Sequence, residues 1–306
     1  MKHVGVNVAA DPLFTYAYMG VGGGFLLDSA DEPGQHSSQN EQDNRYYAKM
    51  AKIPMLEPSN SQECLDMVKT AFELSEAYDT PVMLRTTTRV CHSKSIVEDG
   101  QRTEVPIKEY VKDIPRRITV PDVARKMRLR VEERMNRLKE YSETTPLNFV
   151  EDHGSSTGVI VSGMCYHYAR EYFGDRVSYL KLGFTNPLPM GRIQDFVRGK
   201  EKVYIIEEDD PYLEDAVRSL GVDCLGKNTF PFCGEMTPDV IAKAVSGQEN
   251  PTVPYDPNVL PKRPPAFCAG CPHRGLFYVL GKRKDVVVSG DIGCYTLGFS
   301  DPYNAM

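Results

Sequence analysis

Twice in the second half of the chain, a short apolar run breaks at a polar turn and passes straight into a segment of helical periodicity. The first instance is STGVIVSGMCYHYAREYF (156–173) and the second is KVYIIEEDDPYLEDAVRSLG (202–221). Such runs are too short to be helices. Their Val, Ile and Tyr content suits strands buried on both faces. Strand, turn and helix repeated in that order predict an α/β fold with a mainly parallel sheet. No other feature of the sequence narrows the choice of fold as much. The chain of 306 residues allows about two domains and a sizeable core.

The earlier part of the chain reads the same way. GVGGGFLLDSADEP (20–33) is a glycine turn, a short buried strand and an acidic exit, and HSSQNEQDNRYYAK (36–49) is a polar loop entering a helix. SNSQECLDMVKTAFELSEAYDTP (59–81) predicts a helix capped by Ser59 or Ser61, with Leu65, Val68, Phe72 and Leu74 as its apolar side and Pro81 as its stop. PVMLRTTTRV (81–90) follows as a buried strand that turns polar at its end. From 95 to 146 the character changes to basic, charged and proline-punctuated. There RKMRLRVEERMNRLKEYSE (125–143) places Met127, Val131, Met135 and Leu138 at helical spacing, as expected of a linker helix packed across a domain face. The prolines of 251–265 mark an extended linker, followed by a short helix (HRGLFYVLGKRK), a strand (DVVVSG) and the turn DIGCYTLG. The first residues read as the interior of a domain, and the last as too few for a core. The sequence is therefore expected to be a piece of a longer chain.

Composition removes several function classes. Net charge is -6, so a nucleic-acid surface is not expected. No apolar run is long enough to span a bilayer, and MKHVGVNVAADP is no signal peptide. The 8 cysteines are scattered apart from one pair, which fits a reduced, cytoplasmic protein better than a disulfide framework.

That pair is the sharpest chemical signal. Cys268 and Cys271 of AFCAGCPHRG share one turn, and Cys294 follows a predicted strand in Gly290-Asp291-Ile292-Gly293-Cys294. Two sulfurs on one loop can grip a metal or a cluster, and a thiolate at a glycine-rich turn can receive backbone N–H groups. A zinc site using His273, a redox pair, and cysteines that merely pack are the other readings. Asp291 is either a Mg²⁺-holding aspartate of a diphosphate site or a plain turn residue. Ser37–Arg45, at a strand exit, is either a ligand loop or a solvated one. Arg85 or Arg89 can bind a carboxylate or phosphate bidentately, or form an ion pair across an interface. Glu207-Glu208 offers an acid/base pair, with a solvated turn or a subunit contact as the plainer reading. Gly20–Gly24 precedes a strand rather than opening a helix, so it is not a dinucleotide fingerprint.

MKHVGVNVAADP, DEPGQHSSQNEQD, AFELSEAYDTPVMLRTTTRVCHS, CAGCPHRG and GDIGCYTLG, in this order, resemble the large (alpha) subunits of indolepyruvate:ferredoxin oxidoreductases. The resemblance covers nearly the whole chain. It implies a thiamine-diphosphate enzyme of the 2-oxoacid:ferredoxin oxidoreductase family. Residues 1–94 would be the later part of a pyrimidine-binding domain and 95–146 a helical linker. Residues 147–248 would be a transketolase C-terminal-like domain, 249–263 a proline-rich linker, and 264–306 the start of a diphosphate-binding domain. The implied reaction is oxidative decarboxylation of an arylpyruvate such as indolepyruvate to an acyl-CoA. Electrons would pass through iron–sulfur clusters to ferredoxin, with a small (beta) subunit and coenzyme A as partners.

The implied ligands are thiamine diphosphate, Mg²⁺ and a [4Fe–4S] cluster. By resemblance Cys268, Cys271 and Cys294 hold the cluster, and Ser38, Gln39, Gly270, His273, Gly290, Asp291 and Gly293 lie at the cofactor. The family motif usually reads CPGC, and here Ala269 replaces the proline. GDIG matches the cluster-cysteine element of the family rather than its Mg²⁺ element. The family's activating glutamate, its Mg²⁺ element and its fourth cysteine are expected outside this stretch, so no catalytic residue is assigned and the stretch alone is expected to lack turnover. A related enzyme acting on pyruvate or sulfopyruvate, and a non-catalytic docking module, are the alternatives.

Overall fold

The computed structural model describes residues 1–102, 104–261 and 263–306. These form two units, Met1–Asn250 and Pro251–Met306. The first unit begins with helices α1 (His3–Val8) and α2 (Ala10–Met19), strand β1 (Leu26–Asp31), α3 (Arg45–Ala51) and β2 (Met55–Leu56). It continues with α4 (Ser61–Tyr78), β3 (Val82–Thr87), α5 (Thr88–His92), the single turn α6 (Ile114–Arg117) and the long α7 (Pro121–Thr144). Then come β4 (Asn148–Glu151), β5 (Thr157–Ser162), α8 (Cys165–Phe173), β6 (Ser178–Leu182) and β7 (Phe184–Asn186). Helix α9 (Met190–Val197), β8 (Lys202–Ile206), α10 (Tyr212–Ser219) and α11 (Pro238–Ser246) complete it.

The strands form two four-stranded sheets, ordered β1-β3-β2-β7 and β4-β6-β5-β8. The predicted parallel pairing is present in β1/β3, β2/β3, β5/β6 and β5/β8. Each sheet also carries one antiparallel edge strand, β7 on β2 and β4 on β6. The fold is therefore α/β with two mixed, mostly parallel sheets. Because β1, β3 and β2 run the same way, Asp31, Glu57 and Thr87 leave the first sheet at one edge, where parallel sheets gather their sites.

Side-chain alternation explains why the second sheet is covered on both faces. Val159, Val161, Tyr179, Tyr204 and Ile206 pack in one cluster with α8 and α11. Their neighbours Ile160, Leu180, Leu182, Val203 and Ile205 enter another, which also takes Met55 and Met83 of the first sheet.

Helix α4 differs from its sequence reading in two ways. Its cap is Asn60, not Ser59 or Ser61: the side-chain oxygen of Asn60 accepts from Glu63 N at 2.9 Å. Glu63 in turn accepts from Ser59 N and Oγ. Its buried stripe is Met67, Ala71, Leu74 and Ser75, while Phe72 is 44% exposed. Small residues at 71 and 75 let the helix sit close to the sheet, which rotates the larger Phe72 outward. Helix α7 buries Met127, Val131, Met135 and Leu138 as predicted. It also buries Arg134, which donates to the carbonyls of Ala17 and Asp79.

In the second unit, helix α12 (His273–Leu280) forms where expected, and Cys294–Phe299 is a 3₁₀ turn. The predicted strand 285–290 is absent, and Val287 is 99% exposed. Among the described residues this unit has no other strand to supply a ladder, and a lone strand is not stable. No helix among the described residues is long and apolar enough to cross a membrane.

Candidate functional site

The chemically dense region of the first unit lies where β1, β2 and β3 end. Arg85, on β3, reaches three carboxylates from three segments: Asp31 at 2.6 Å, Glu57 at 2.7 Å and Asp209 at 2.5 Å. Arg45, the first residue of α3, binds Asp43 through a fork, Glu207 at 2.6 Å, and the carbonyls of Glu208 and Asp210. Both guanidiniums are buried. This network stitches the loops that follow β1 and β8 together.

Glu207 also accepts from Leu213 N and Glu214 N at the start of α10, so it acts as that helix's anionic cap. The expectation of a solvated Glu207-Glu208 turn is thus corrected: both residues are buried. Arg85 forms ion pairs within the first unit, with Asp31, Glu57 and Asp209.

The electrostatics follow from counting partners. Six carboxylates (Asp31, Asp43, Glu57, Glu207, Glu208 and Asp209) crowd around two guanidiniums. Burial opposes ionisation of Asp43, but Arg45 and Arg85 overcome it and hold its carboxyl below the usual range. Asp209 has less compensation, and burial pushes it up to about 8. Burial likewise raises Glu208, whose carboxylate meets one N–H, that of Met236. Asp209 holds this position from a left-handed backbone, with φ of 58°.

Among the described residues, two groups of three potential ligand atoms lie within 4.8 Å of one another: Asp31–Asp43–Asp209 and Glu151–His153–Asp175. Each already has an arginine among it, Arg85 in the first and Arg170 in the second. Both therefore read as ion-paired clusters rather than cation sites.

Arg89 contrasts with Arg85. It lies on α5 with its side chain 54% exposed and is paired bidentately with Glu235. His36 stands 3.3 Å from the same carboxylate. Beside this edge lies a cleft of about 270 Å³ lined by Lys2, Ala30, Asp31, Glu32, Thr88, Cys91 and His92.

The loop Ser37–Arg45 is ordered by its own polar groups. Ser37 N donates to Glu32, Gly34 N to Glu41, and Asn44 N to Asp31. Of the two predicted cofactor residues here, Ser38 is half-buried and Gln39 is exposed. Among the described residues, Ser38 Oγ, Gln42 Oε1, Asn44 Oδ1 and Thr87 Oγ1 are buried polar atoms with no hydrogen-bond partner. Buried groups of that kind suit a polar ligand.

The second unit carries the remaining predicted residues. Cys271 N donates to Cys268 O, forming a tight turn in which Gly270 has φ of 76°. Gly293, with φ of 104°, gives Cys294 a similarly special backbone. Cys268, Gly270, Gly290, Asp291, Gly293 and Cys294 are exposed, and Cys271 and His273 are half-buried. His273 Nδ1 lies 3.3 Å from Cys271 Sγ, and its ring meets Tyr295, the neighbour of Cys294, edge-on at 4.8 Å. The three thiols are not within 4.8 Å of one another, so the compact spacing of a mononuclear zinc site is not formed. Asp291 spends one carboxylate oxygen on Ile292 N.

Sequence reasoning missed Glu57, Asp209 and Glu235, and reached Asp43 only as part of the loop Ser37–Arg45. Asp209 lay in the quoted EEDDP turn, but nothing in the chain order pairs it with Arg85. Glu235, in PFCGEMTP, gave no signal of its own.

No family model matches the chain. Curated relatives do. Indolepyruvate oxidoreductase subunit IorA of Methanothermobacter marburgensis is 43% identical, across 100% of this chain and 53% of its own length. The subunits of the same name from Archaeoglobus fulgidus and Pyrococcus abyssi are each 38% identical, across 99% of this chain and 52% and 51% of their own lengths. The chain is homologous to these subunits throughout, and it spans about half the length of the curated relatives it matches. Among solved structures, a 2-oxoglutarate:ferredoxin oxidoreductase from Magnetococcus marinus, with 2-oxoglutarate, coenzyme A and succinyl-CoA bound, aligns with a TM-score of 0.60. At 16% identity over 80% of this chain and 52% of that one, it supports the fold assignment.

Proposed function

We propose that this chain is part of the large subunit of a cytoplasmic, thiamine-diphosphate-dependent 2-oxoacid:ferredoxin oxidoreductase that acts on arylpyruvates, indolepyruvate first among them. The observation that carries the reading is the 43% identity to an indolepyruvate oxidoreductase subunit, sustained over the whole chain. In this reading, residues 1–94 belong to a pyrimidine-binding domain, 147–248 to a transketolase C-terminal-like domain and 264–306 to a diphosphate-binding domain. The arylpyruvate loses CO₂, two electrons leave one at a time for ferredoxin, and the acyl group passes to coenzyme A. A small (beta) subunit completes the enzyme. Neither a nucleic acid nor a membrane is a partner.

Thiamine diphosphate with Mg²⁺ supplies carbanion-stabilising chemistry, and a [4Fe–4S] cluster supplies the electron path. The unpartnered Ser38 Oγ and Thr87 Oγ1 suit a polar cofactor at the edge of the first sheet. Gln39 stands beside Ser38 on that loop. Cys268, Cys271 and Cys294 would hold the cluster. Gly270 and Gly293 provide the turns that present the thiols, and His273 lies in hydrogen-bonding reach of Cys271. Gly290 and Asp291, on the same turn as Cys294, would lie at the cofactor. Arg89 is the arginine for the substrate's carboxylate, because Arg85 is buried among three carboxylates that it already binds and Arg89 is exposed.

The test uses the large subunit as the cell makes it, co-purified anaerobically with its small subunit. The expected result is coenzyme A-dependent dye or ferredoxin reduction with indolepyruvate and phenylpyruvate, lost in Cys268→Ser. Faster turnover of pyruvate would overturn the arylpyruvate assignment. No reduction with any 2-oxo acid would overturn the oxidoreductase reading.

A further inference from the structure

Arg89 pairs with a carboxylate through the same fork as Arg45 does with Asp43, but the Arg45 side chain is buried and that of Arg89 is exposed. The Arg89 guanidinium meets a carboxylate side-on, through Nε and Nη2, with both oxygens of Glu235 engaged. This is the fork geometry in which an arginine grips the carboxylate of a small acid. Yet Glu235 comes from neither α5 nor the first sheet. It lies in a stretch without regular structure between Phe230 and α11, anchored on one side by Met236 N donating to Glu208. The stretch is brought in tightly: a Cβ on Gly34, whose φ is 82°, would lie 3.1 Å from Glu235 N. His36, on the same loop as Gly34, approaches the Glu235 carboxylate from a second side.

We propose that Glu235 is a built-in carboxylate that occupies Arg89 until a 2-oxo acid displaces it, and so sets how strongly a substrate's carboxylate must bind to be retained. The proposal rests on the reading of Arg89 as the substrate's carboxylate site. Three features fit a displaceable contact better than a structural one. The Arg89 side chain is 54% exposed and that of Glu235 17%, so the ion pair is partly solvent-screened and its loss costs the fold less than loss of a buried pair. Glu235 sits beside Gly234, whose φ of 91° puts a permissive backbone next to it. His36 Nε2 lies 3.3 Å from the Glu235 carboxylate, so a displaced Glu235 has a polar side chain within reach. The buried pairs of Arg85 have none of these features, since they lose no partner without leaving a charge uncompensated.

Phenylpyruvate, a stable arylpyruvate, is titrated calorimetrically into the full chain and into the complex with the small subunit. Glu235→Gln should bind it about fivefold more tightly than wild type, the range expected for removing one partner of a partly exposed ion pair. Arg89→Met should bind at least about tenfold more weakly, and the double variant should match Arg89→Met, because Glu235 acts through that arginine. In turnover the Glu235 effect should fall on KM rather than kcat. Equal affinity of wild type and Glu235→Gln, with Arg89→Met still weakened, would overturn the displacement proposal and leave the carboxylate site standing. An Arg89→Met variant that binds as wild type does would remove that site and the proposal with it, as would no binding by any of the proteins.

Discussion

At the sheet edge of the first unit, Arg85 is 5% exposed and spends its donors on Asp31, Glu57 and Asp209. In the second unit, Cys268 and Cys294 lie exposed on glycine-bearing turns, and the hydrogen bonds nearby are mostly local. The difference separates polar residues that hold a fold from polar residues that await a ligand. In the first region the charges compensate one another, so the chain's own folding energy holds them in place. In the second, the thiols face solvent and the fold asks nothing of them. Arg89 and Glu235 stand between these cases, being paired, with Arg89 exposed and Glu235 half-buried.

The first way to break this comparison is to remove Arg85. Arg85→Met leaves Asp31 and Glu57 buried without their shared counter-charge and Asp209 without its hydrogen-bond donor. Uncompensated burial of that kind costs about 3–5 kcal/mol, so urea unfolding should show a large loss of stability with little change in slope. An unchanged midpoint would mean that the network is not what holds the edge together.

The next sharpens the electrostatic half. Burial pushes Asp209 to about 8, above its ordinary value of 3.8. Between those limits the folded state keeps a proton that the unfolded state has lost, so this group makes stability fall as pH rises. Asp209→Asn abolishes that contribution. The variant's stability relative to wild type should therefore climb between about pH 5 and 8, by up to roughly 1.4 kcal/mol per unit, and level off above 8. Urea midpoints of the two proteins across this range check the sign. A difference independent of pH would show Asp209 ionised throughout, with Arg85 fully compensating it.

The same contrast explains what was legible in the sequence. Strand–helix alternation is local, so the strands at 26–31, 82–87, 157–162 and 202–206 and helices such as α7 and α8 could be read directly. The face of α4 was misjudged because side-chain size points to Phe72, while close packing selects Ala71 and Ser75. The segment 285–290 has a strand's composition without a partner to pair with, and composition cannot supply one. At the site, the cysteine turn was visible because its spacing is its signal. The network around Arg85 was not, because Asp31, Glu57 and Asp209 converge only through the fold. Sequence offered Arg85 and Arg89 as equals, and only burial tells them apart.

The smallest expected effect on the fold is also the one that tests the exposed half of the comparison. Cys268→Ser changes one atom on an exposed turn, and such surface changes usually fall within about 0.5 kcal/mol. Its urea and thermal unfolding should overlay those of wild type. Iron bound after anaerobic reconstitution with ferrous iron and sulfide should drop in the same variant, because serine is a poor replacement for a soft thiolate ligand. The two readouts together are decisive, since neither alone separates a ligand from a packed thiol. If Cys268→Ser instead lowers stability as Arg85→Met does, the thiol is part of the fold's own framework, and the distinction drawn between the two regions fails at its exposed end.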